Sequence, residues 1–276
     1  MTINCKGTLI DFGIPRVMGI LNLTPDSFYD GGRNKTEAEQ LSHAERMLAE
    51  GATFIDVGAY SSRPGAVNIS EEEELQRILP IVNLLVKEFP EVLLSIDTFR
   101  SSVARECIEA GAAIINDISG GNLDSRMLKT VAELQVPYIL MHMRGTPKNM
   151  TKLNTYEDLV QDILFYFSQR IAEARELGIN DLIIDPGFGF SKNIDQNFEL
   201  MSRLELFRIL GLPLLSGISR KSMIYKSLGI TPDEALNGTT ILNSISLLKG
   251  AHILRVHDVK EAMECIQLTS KINTGI

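Results

Sequence analysis

Cysteine is scarce in this chain, with three residues in 276, at positions 5, 107 and 265. The number is odd, the spacing is wide and no C-x-x-C pair occurs, which does not suit a disulfide scaffold. Cys107 and Cys265 lie within apolar helical patterns, so we predict buried free thiols. Free thiols fit a reducing compartment, and we expect a cytoplasmic protein.

Basic residues are also in deficit. The chain has 27 Lys and Arg against 35 Asp and Glu, a net charge of −8 and a sequence pI near 5.2. A nucleic-acid binder normally carries a basic face, so nucleic acid is not an expected partner, although a few placed basic residues can still bind a small anion. No apolar run approaches the length of a membrane span, and the N-terminus lacks a basic stretch followed by an apolar one. We therefore expect neither a membrane partner nor a signal peptide.

The chain repeats one pattern, a short apolar run followed by an amphipathic helical segment. Runs without alternation are typical of parallel strands buried on both faces. The eight runs are 17–23, 54–57, 92–96, 113–116, 138–141, 182–184, 214–216 and 253–256. Eight such units predict an α/β protein, a single-domain (β/α)8 TIM barrel over residues 1–276. The alternative is an open doubly wound sheet, which is disfavoured because no G-x-G-x-x-G follows the first run.

Local signals mark where the predicted helices start and stop. Thr36-x-x-Glu39 and Ser70-x-x-Glu73 are capping boxes. Thr231-Pro232-Asp233-Glu234 places proline at the first helical position. Glycines at 51, 111, 178, 211 and 250 close a helix shortly before the next strand.

Polar side chains follow the apolar runs at the ends that form the working face of a barrel. Burying a carboxylate or an amide there costs several kcal/mol unless the group is paired or used. Asp258 and Ser219 suit helix N-caps, but the remaining residues are too many to be caps alone, so we predict a functional site. These residues are Asn22, Asp26, Asp56, Asp97, Asn116, His142, Asp185, Lys221, Arg255 and His257.

The candidate site residues divide into two chemical groups. Asp97, Asn116 and Asp185 offer the donors and acceptors that a flat, nitrogen-rich heterocycle requires. The second group is cationic and suits a phosphate or pyrophosphate, which arginine grips in a fork. Its members are Arg63, Lys221, Arg255 and His257. The predicted substrate is therefore a polar ring tethered to an anion, and the turn-rich loops 24–33 and 60–65 have the composition of lids.

At these residues the sequence resembles the dihydropteroate synthase family, the enzymes of folate biosynthesis that sulfonamides target. The matching segments lie in the family's order over nearly the whole chain, and together they are highly specific. They read M-G-I-L-N-L-T-P-D-S-F-Y-D-G-G (18–32), S-S-R-P-G-A (61–66), S-I-D-T (95–98), I-N-D-I-S-G-G (115–121), M-H-M-R-G-T-P-x-x-M (141–150), D-P-G-F-G-F-S-K (185–192), G-I-S-R-K-S (217–222) and L-R-V-H-D-V (254–259).

The resemblance implies a reaction, a cofactor and an assembly. The reaction is a transfer in which the amine of 4-aminobenzoate displaces pyrophosphate from the methylene of 7,8-dihydropterin-6-ylmethyl diphosphate, giving 7,8-dihydropteroate. The implied cofactor is Mg²⁺, held by Asn22, and the implied assembly is a homodimer.

The resemblance also assigns residues to each part of the site. The implied pterin contacts are Asp97, Asn116, Met141, Asp185, Lys221 and Arg255, although Met141 suits plain core equally well. The implied pyrophosphate contacts are Asn22, Ser62, Arg63, Arg255 and His257. The implied 4-aminobenzoate contacts are Phe28, Ser62, Pro64, Phe190 and Ser222. The implied catalytic residues are Asp26, Arg63, Asp97, Asp185 and Lys221.

One segment departs from the family pattern. The usual G-E-S-T-R-P-G reads A-Y-S-S-R-P-G at positions 59–65. Ser62 keeps the hydroxyl but loses a methyl group, and Tyr60 replaces a glutamate. These changes bear on sulfonamide affinity rather than on the reaction class.

The charge pattern predicts how the reaction proceeds. Breaking the methylene–oxygen bond leaves positive charge on the pterin, which Asp97 and Asp185 favour, and negative charge on pyrophosphate, which the cationic group favours. Two alternatives remain open. A methyltetrahydrofolate methyltransferase barrel needs no pyrophosphate clamp, and a non-catalytic pterin-binding protein is expected to lose Asn22, Asp26 or Arg63, all of which are present.

Overall fold

The computed structural model describes residues 1–23, 37–61 and 69–273. The chain begins with an antiparallel hairpin of β1 (Thr2–Cys5) and β2 (Thr8–Asp11), which the sequence analysis did not predict. Its buried Ile3 and Cys5 pack with side chains from the first residues of the barrel strands, including Phe54 and Ile253. The hairpin therefore closes the end of the barrel where the strands begin.

Eight parallel strands form the barrel, and each pairs with its neighbours in the chain while the first pairs with the last. They are β3 (Arg16–Asn22), β4 (Phe54–Gly58), β5 (Leu93–Asp97), β6 (Ile114–Asp117), β7 (Tyr138–Met141), β8 (Leu182–Asp185), β9 (Leu215–Ser216) and β10 (Ile253–Val256). A bridge between Ile184 and Leu214 joins β8 to β9 and completes the circle. The predicted barrel is confirmed, and each of the eight apolar runs overlaps one of these strands, with bounds that differ by no more than one residue at either end.

Helices surround the strands. They are α1 (Glu37–Ala49), α2 (Glu71–Glu88), α3 (Ser101–Glu109), α4 (Met127–Leu134), α5 (Leu159–Glu176), α6 (Ile194–Ser202), α7 (Ser222–Leu228), α8 (Leu236–Leu248) and α9 (Val259–Asn273). Short 3-10 turns lie at Met150–Lys152, Leu204–Leu210 and Asp233–Ala235. None of the helices in the described ranges has the length and apolar character needed to cross a membrane.

The helix start predicted at Ser70 is observed, whereas the signal at Thr231-Pro232 marks the start of a 3-10 turn that precedes α8. Ser70 Oγ accepts a hydrogen bond from the Glu73 N–H at 3.1 Å, which satisfies one backbone donor at the start of α2. The N–H and hydroxyl of Thr231 both donate to the Glu234 carboxylate, and a single 3-10 turn then leads into α8. Thr36 lies outside the described residues.

Glycine ends the helices for a steric reason. Gly51 has φ +104° and Gly111 has φ +110°, a backbone region that L side chains rarely adopt. A Cβ at Gly111 would also stand 3.1 Å from Val86 Cγ1 on α2. Such turns allow a helix to end close to the neighbouring helix, and the chain then enters the next strand within a few residues.

The three cysteines lie in apolar packing between the elements. Cys5, Cys107 and Cys265 are buried and free. The prediction of buried free thiols is therefore confirmed, and burial raises the pKa of both Cys5 and Cys107 to about 12, so these thiols are poor nucleophiles.

Candidate active site

The carboxyl ends of four strands converge on one guanidinium. Arg255 of β10 donates from Nε to Asp56 Oδ2 at 2.6 Å and from Nη2 to Asp97 Oδ2 at 2.8 Å. Asn116 of β6 donates from Nδ2 to the same oxygen of Asp56 at 3.0 Å. The structure therefore brings Asp97, Asn116 and Arg255 together.

Asp56 is the centre of this network, and the sequence analysis assigned it to no binding set. Its side chain is fully buried. Oδ2 accepts both hydrogen bonds, whereas Oδ1 has no hydrogen-bond partner among the residues the structure describes. The strand-end position of Asp56 was visible in the sequence, but its pairing with Arg255, 199 residues away, was not.

The surroundings of Asp97 disfavour the charged form of its carboxyl group. Burial raises its pKa to about 7, the Arg255 charge opposes the rise, and Asp56 adds to it. Gly58 lies beside Asp97, and a Cβ at this glycine would stand 3.2 Å from the Cβ of Asp97. The two carboxylates share one guanidinium, and its charge offsets only part of the effect of burial on Asp97.

Asp185 and Lys221, whose charges interact, lie on the adjacent side of the rim. Burial raises the pKa of Asp185, at the end of β8, and the charge of Lys221 is the main opposing influence. Its Oδ1 accepts the Gly187 N–H at 2.8 Å. Lys221 Nζ donates to the Phe188 carbonyl and lies 4.8 Å from the Phe190 ring centroid. Burial lowers the pKa of Lys221 to about 8.

The two groups are neighbours in space. A Cβ at Gly217, just after β9, would stand 3.9 Å from both Arg255 Cβ and Asp185 Oδ2. Asp185 and Lys221 therefore lie next to the Arg255 network, and the strand ends of β4, β5, β6, β8 and β10 contribute to one polar site.

His257 is held by Ser219, which corrects one prediction. Ser219 Oγ lies 2.9 Å from His257 Nδ1 and accepts the His257 N–H at 3.2 Å. The prediction that Ser219 caps a helix is wrong, because α7 begins at Ser222 and Lys221 occupies the N-cap position. Asp258 precedes α9, but its carboxylate pairs with Arg220 at 2.8 and 2.9 Å.

Asn22 and Met141 occupy two further strand ends. Asn22 is the last residue of β3, half-buried and in register with Gly58. Met141 is the last residue of β7 and is 3% exposed, packed in a cluster that includes Met143 and the partly buried Phe190. Met141 is thus a core residue at the edge of the site.

Known proteins match this chain over almost its full length. The family described as "Pterin binding enzyme" matches residues 18–257. Dihydropteroate synthase of Escherichia coli K12 is 45% identical over 270 residues, covering 97% of this chain and 95% of that protein. The Yersinia pestis dihydropteroate synthase, solved with a sulfonamide drug, superposes with a TM-score of 0.95 at 42% identity over 100% of both chains. The Xanthomonas albilineans enzyme, solved with 7,8-dihydropteroate, superposes with a TM-score of 0.89 at 34% identity, again over 100% of both chains.

The chain belongs to the dihydropteroate synthase family. For a member of this family, the loops after β3 and β4 carry several of the implied contacts. Five predicted residues on them lie outside the described residues, namely Asp26, Phe28, Ser62, Arg63 and Pro64. Their predicted roles stay predictions.

Of the two residues that depart from the dihydropteroate synthase pattern, Tyr60 lies among the described residues. Tyr60 packs edge-on against Phe99, with ring centroids 5.0 Å apart, and the Arg100 guanidinium lies 5.5 Å from its ring. Tyr60 therefore packs edge-on against the segment that follows β5. The glutamate usual at this position would place a charge there.

Two buried residues lie behind the loop after β8. Lys192, the last residue of the segment 185–192, has no predicted role, and His142 is predicted for the site only because it follows a strand. The structure places Lys192 Nζ 3.2 Å from His142 Nδ1. Both side chains are almost fully buried, which composition and spacing do not signal.

Proposed function

We propose that this chain catalyses the dihydropteroate synthase reaction. The amine of 4-aminobenzoate attacks the methylene of 7,8-dihydropterin-6-ylmethyl diphosphate, the carbon–oxygen bond breaks, and 7,8-dihydropteroate and pyrophosphate leave. The observation that carries the proposal is the bridging of Asp56 and Asp97 by Arg255 beside the Asp185–Lys221 pair, at the rim of a barrel of this family.

The pterin is proposed to bind against the carboxylates and the amide at the strand ends. Asp97, Asn116 and Asp185 supply acceptors and donors for the ring nitrogens, the amino group and the carbonyl. Lys221 and Arg255 complete the polar edge, and Met141 supplies an apolar wall. Among the described residues, the buried Oδ1 of Asp56 has no hydrogen-bond partner, and we propose that a ring N–H of the pterin satisfies it.

The diphosphate is proposed to lie on the cationic side of the rim. Arg255 and His257 come from the end of β10, and Lys221 lies beside them. Asn22, Ser62 and Arg63 are the further proposed contacts. Arginine suits this role because its planar donors match two phosphate oxygens at once.

The donor set fits a magnesium ion held mainly by the substrate. Within residues 1–23, 37–61 and 69–273, no cluster of three His, Cys, Asp or Glu side chains is arranged to hold a metal. Mg²⁺ commonly binds through one or two protein oxygens together with substrate phosphates and water. The amide oxygen of Asn22, at the end of β3, can supply that single protein ligand. Bound there, Mg²⁺ would withdraw charge from the leaving pyrophosphate.

4-Aminobenzoate is proposed to bind beside Phe190 and Ser222, with Phe28, Ser62 and Pro64 as further contacts. The Phe190 ring lies next to Lys221, and Ser222 is the first residue of α7. This places the second substrate at the edge of the proposed pterin pocket, where its amine can reach the methylene carbon.

Catalysis is proposed to proceed through a cation-like pterin. Asp97 and Asp185 favour the positive charge that develops as the bond to pyrophosphate breaks. Arg63, Lys221 and Asp26 are the remaining proposed catalytic residues. An arylamine is neutral at pH 7, so no strong general base is required.

The protein is proposed to be a cytoplasmic homodimer. The neighbouring helices α8 and α9 carry four exposed apolar side chains, Ile241, Leu248, Leu268 and Ile272. Exposed apolar surface commonly marks protein–protein interfaces. Three buried free thiols fit a reducing compartment.

Pyrophosphate release tests the function. The purified protein is mixed with the pterin diphosphate, 4-aminobenzoate and Mg²⁺, and both pyrophosphate and dihydropteroate are measured. We expect the two products in equal amounts and no pyrophosphate when the pterin substrate is omitted. Binding of the pterin without turnover would instead indicate a non-catalytic pterin-binding protein, and methyl transfer from methyltetrahydrofolate would indicate a methyltransferase.

A further inference from the structure

We propose that Lys192 is a positioning residue for the second substrate, because it fixes the backbone of the loop that follows β8 and thereby the side chain of Phe190. The inference rests on the proposed function, since it takes Phe190 as a wall of the 4-aminobenzoate pocket.

The hydrogen bonds of Lys192 are all directed at this loop and its support. Nζ donates to the Gly187 carbonyl at 2.9 Å and to the Phe190 carbonyl at 2.9 Å, and it lies 3.2 Å from His142 Nδ1. A lysine ammonium has three donors, so these three partners satisfy it completely. The residue is 8% exposed, which makes it an internal brace rather than a solvated surface charge.

His142 is a fixed anchor for this brace. Burial lowers the pKa of His142 well below its ordinary value, and the charges of Lys192 and Arg144 lower it further. The neutral ring can accept a hydrogen bond at Nδ1. Tyr166 holds the ring edge-on, with the centroids 4.9 Å apart. Lys192 therefore ties the loop after β8 to the end of β7.

The brace does not depend on the charge of Lys192. Burial lowers the pKa of Lys192 to about 7, and Asp185 opposes that change. A neutral amine still has two N–H donors, enough for the carbonyls of Gly187 and Phe190. It can also accept from the Nδ1–H tautomer of the imidazole, so the same three partners can remain bonded in either protonation state.

The loop backbone is shaped for close contact with β7. Gly187 has φ +73°, and a Cβ there would stand 2.2 Å from the His142 carbonyl oxygen. Ser191 has φ +50°, which is uncommon for a residue with a side chain. Its Oγ accepts the Arg144 N–H at 2.8 Å and donates to the Arg144 carbonyl at 2.9 Å. Such a conformation persists only when its surroundings hold it.

Lys221 contacts the same loop from the side of the site. It donates to the Phe188 carbonyl and lies 4.8 Å from the Phe190 ring centroid. In the proposed function Lys221 contacts the pterin. If its Nζ then leaves the Phe188 carbonyl, Lys192 is the lysine that still holds the loop. Among the described residues, the partners of Lys192 Nζ are the Gly187 and Phe190 carbonyls and His142 Nδ1, so Lys192 can keep Phe190 in place throughout the reaction.

The test compares Lys192→Met with Lys148→Met, which removes an exposed lysine from the loop after β7. Initial rates of pyrophosphate release give KM for each substrate, and hydrogen exchange reports the protection of the amides at 187–191. In Lys192→Met we expect KM for 4-aminobenzoate to rise about tenfold and KM for the pterin diphosphate to change less than about threefold. The amides of 187–191 should exchange faster, and Lys148→Met should match the unaltered protein in every measurement.

Every other outcome contradicts either the role of Lys192 or the proposed function. Unchanged exchange at 187–191 overturns the inference and leaves the proposed function intact. Equal rises in both KM values, or a loss of thermal stability with both KM values unchanged, show a merely structural lysine and also overturn it. Absence of pyrophosphate release from the unaltered protein refutes the proposed function, and the assignment of Lys192 to a second substrate falls with it.

Discussion

Arg255 Nη2 lies 2.8 Å from Asp97 Oδ2, although 158 residues separate the two in the chain. The same guanidinium donates to Asp56, so it is shared between two carboxylates. This partly buried arginine joins the ends of β4, β5 and β10. Burial outweighs the effect of its charge on Asp97, whose pKa stays raised.

The first prediction concerns catalysis by Asp97. Asp97→Asn keeps the shape of the side chain and removes its charge, so the developing pterin cation loses stabilisation. We expect kcat to fall by about 10²-fold or more, while pyrophosphate affinity changes less than about threefold. Rates of pyrophosphate release and calorimetric titration with pyrophosphate give the two quantities.

Asp195→Asn, on the exposed face of α6, is the matched control and should behave as the unaltered protein. Turnover within twofold of the unaltered protein in Asp97→Asn would refute the cation picture.

The second prediction concerns stability and Arg255. Arg255→Met leaves the buried Asp56 and the partly buried Asp97 without their shared cation. Breaking a buried ion pair by removing one partner costs about 3 kcal/mol or more of the free energy of unfolding. Urea denaturation at pH 7 measures this loss.

Arg126→Met controls for the removal of an arginine, because Arg126 is 69% exposed and pairs with Asp124 at the surface. Its stability should change by less than about 1 kcal/mol. Equal stability of the two variants would show that Arg255 is not needed to hold the carboxylates.

The third prediction concerns pH. Burial raises the pKa of Asp97 from its ordinary 3.8 to about 7 in the folded protein. The folded state therefore holds the proton more tightly than the unfolded chain, so this contribution to stability is complete below pH 4 and is lost as the pH rises to 7. In Asp97→Asn the fall in the free energy of unfolding between pH 4 and 7 should be shallower than in the unaltered protein. Denaturation series at constant ionic strength measure both slopes, and parallel slopes would contradict the raised pKa.

The barrel could be predicted from the sequence because its signals are local. Each apolar run, such as 182–184, is long enough for one buried strand, and capping residues such as Ser70 mark the helices between them. The N-terminal hairpin was missed because neither of its strands is a continuous apolar run: β1 alternates between exposed and buried residues, and β2 is largely exposed.

The site could be predicted in part, and the reason is geometric. Parallel strands end at one rim, so Asp97, Asn116 and Asp185 had to lie near each other once the barrel was assigned. Which polar groups pair could not be predicted, because the contacts of Asp56 with Arg255 and of Lys192 with His142 join distant segments. The expected helix cap at Ser219 failed for the same reason, since its hydroxyl bonds His257.

The fourth prediction concerns assembly. Leu268→Glu places a charge on the apolar surface of α9, where Leu268 is 66% exposed. If this surface joins two copies, burying the new carboxylate is costly and the dimer should dissociate at least about tenfold more readily. Phe165→Glu is the matched control, because Phe165 is 64% exposed on α5. Sedimentation velocity over a concentration series measures both, and equal behaviour of the two variants would place any interface elsewhere.

The fifth prediction concerns the role of Asp56 in setting the charge of Asp97. The negative charge of Asp56 raises the pKa of Asp97, and the Arg255 guanidinium lowers it. Asp56→Asn removes the repulsion and leaves Asp97 as the carboxylate that Arg255 neutralises. Both changes lower the pKa of Asp97. The pKa of Asp97 should fall below 7, and the carboxyl carbon shift of Asp97, followed by NMR from pH 3 to 9, measures it. Glu91→Gln, an exposed change just before β5, should leave the titration unaltered. An unchanged or higher pKa of Asp97 in Asp56→Asn would mean that the two carboxylates do not interact through Arg255, and the electrostatic account of the site would need a different source for the strain on Asp97.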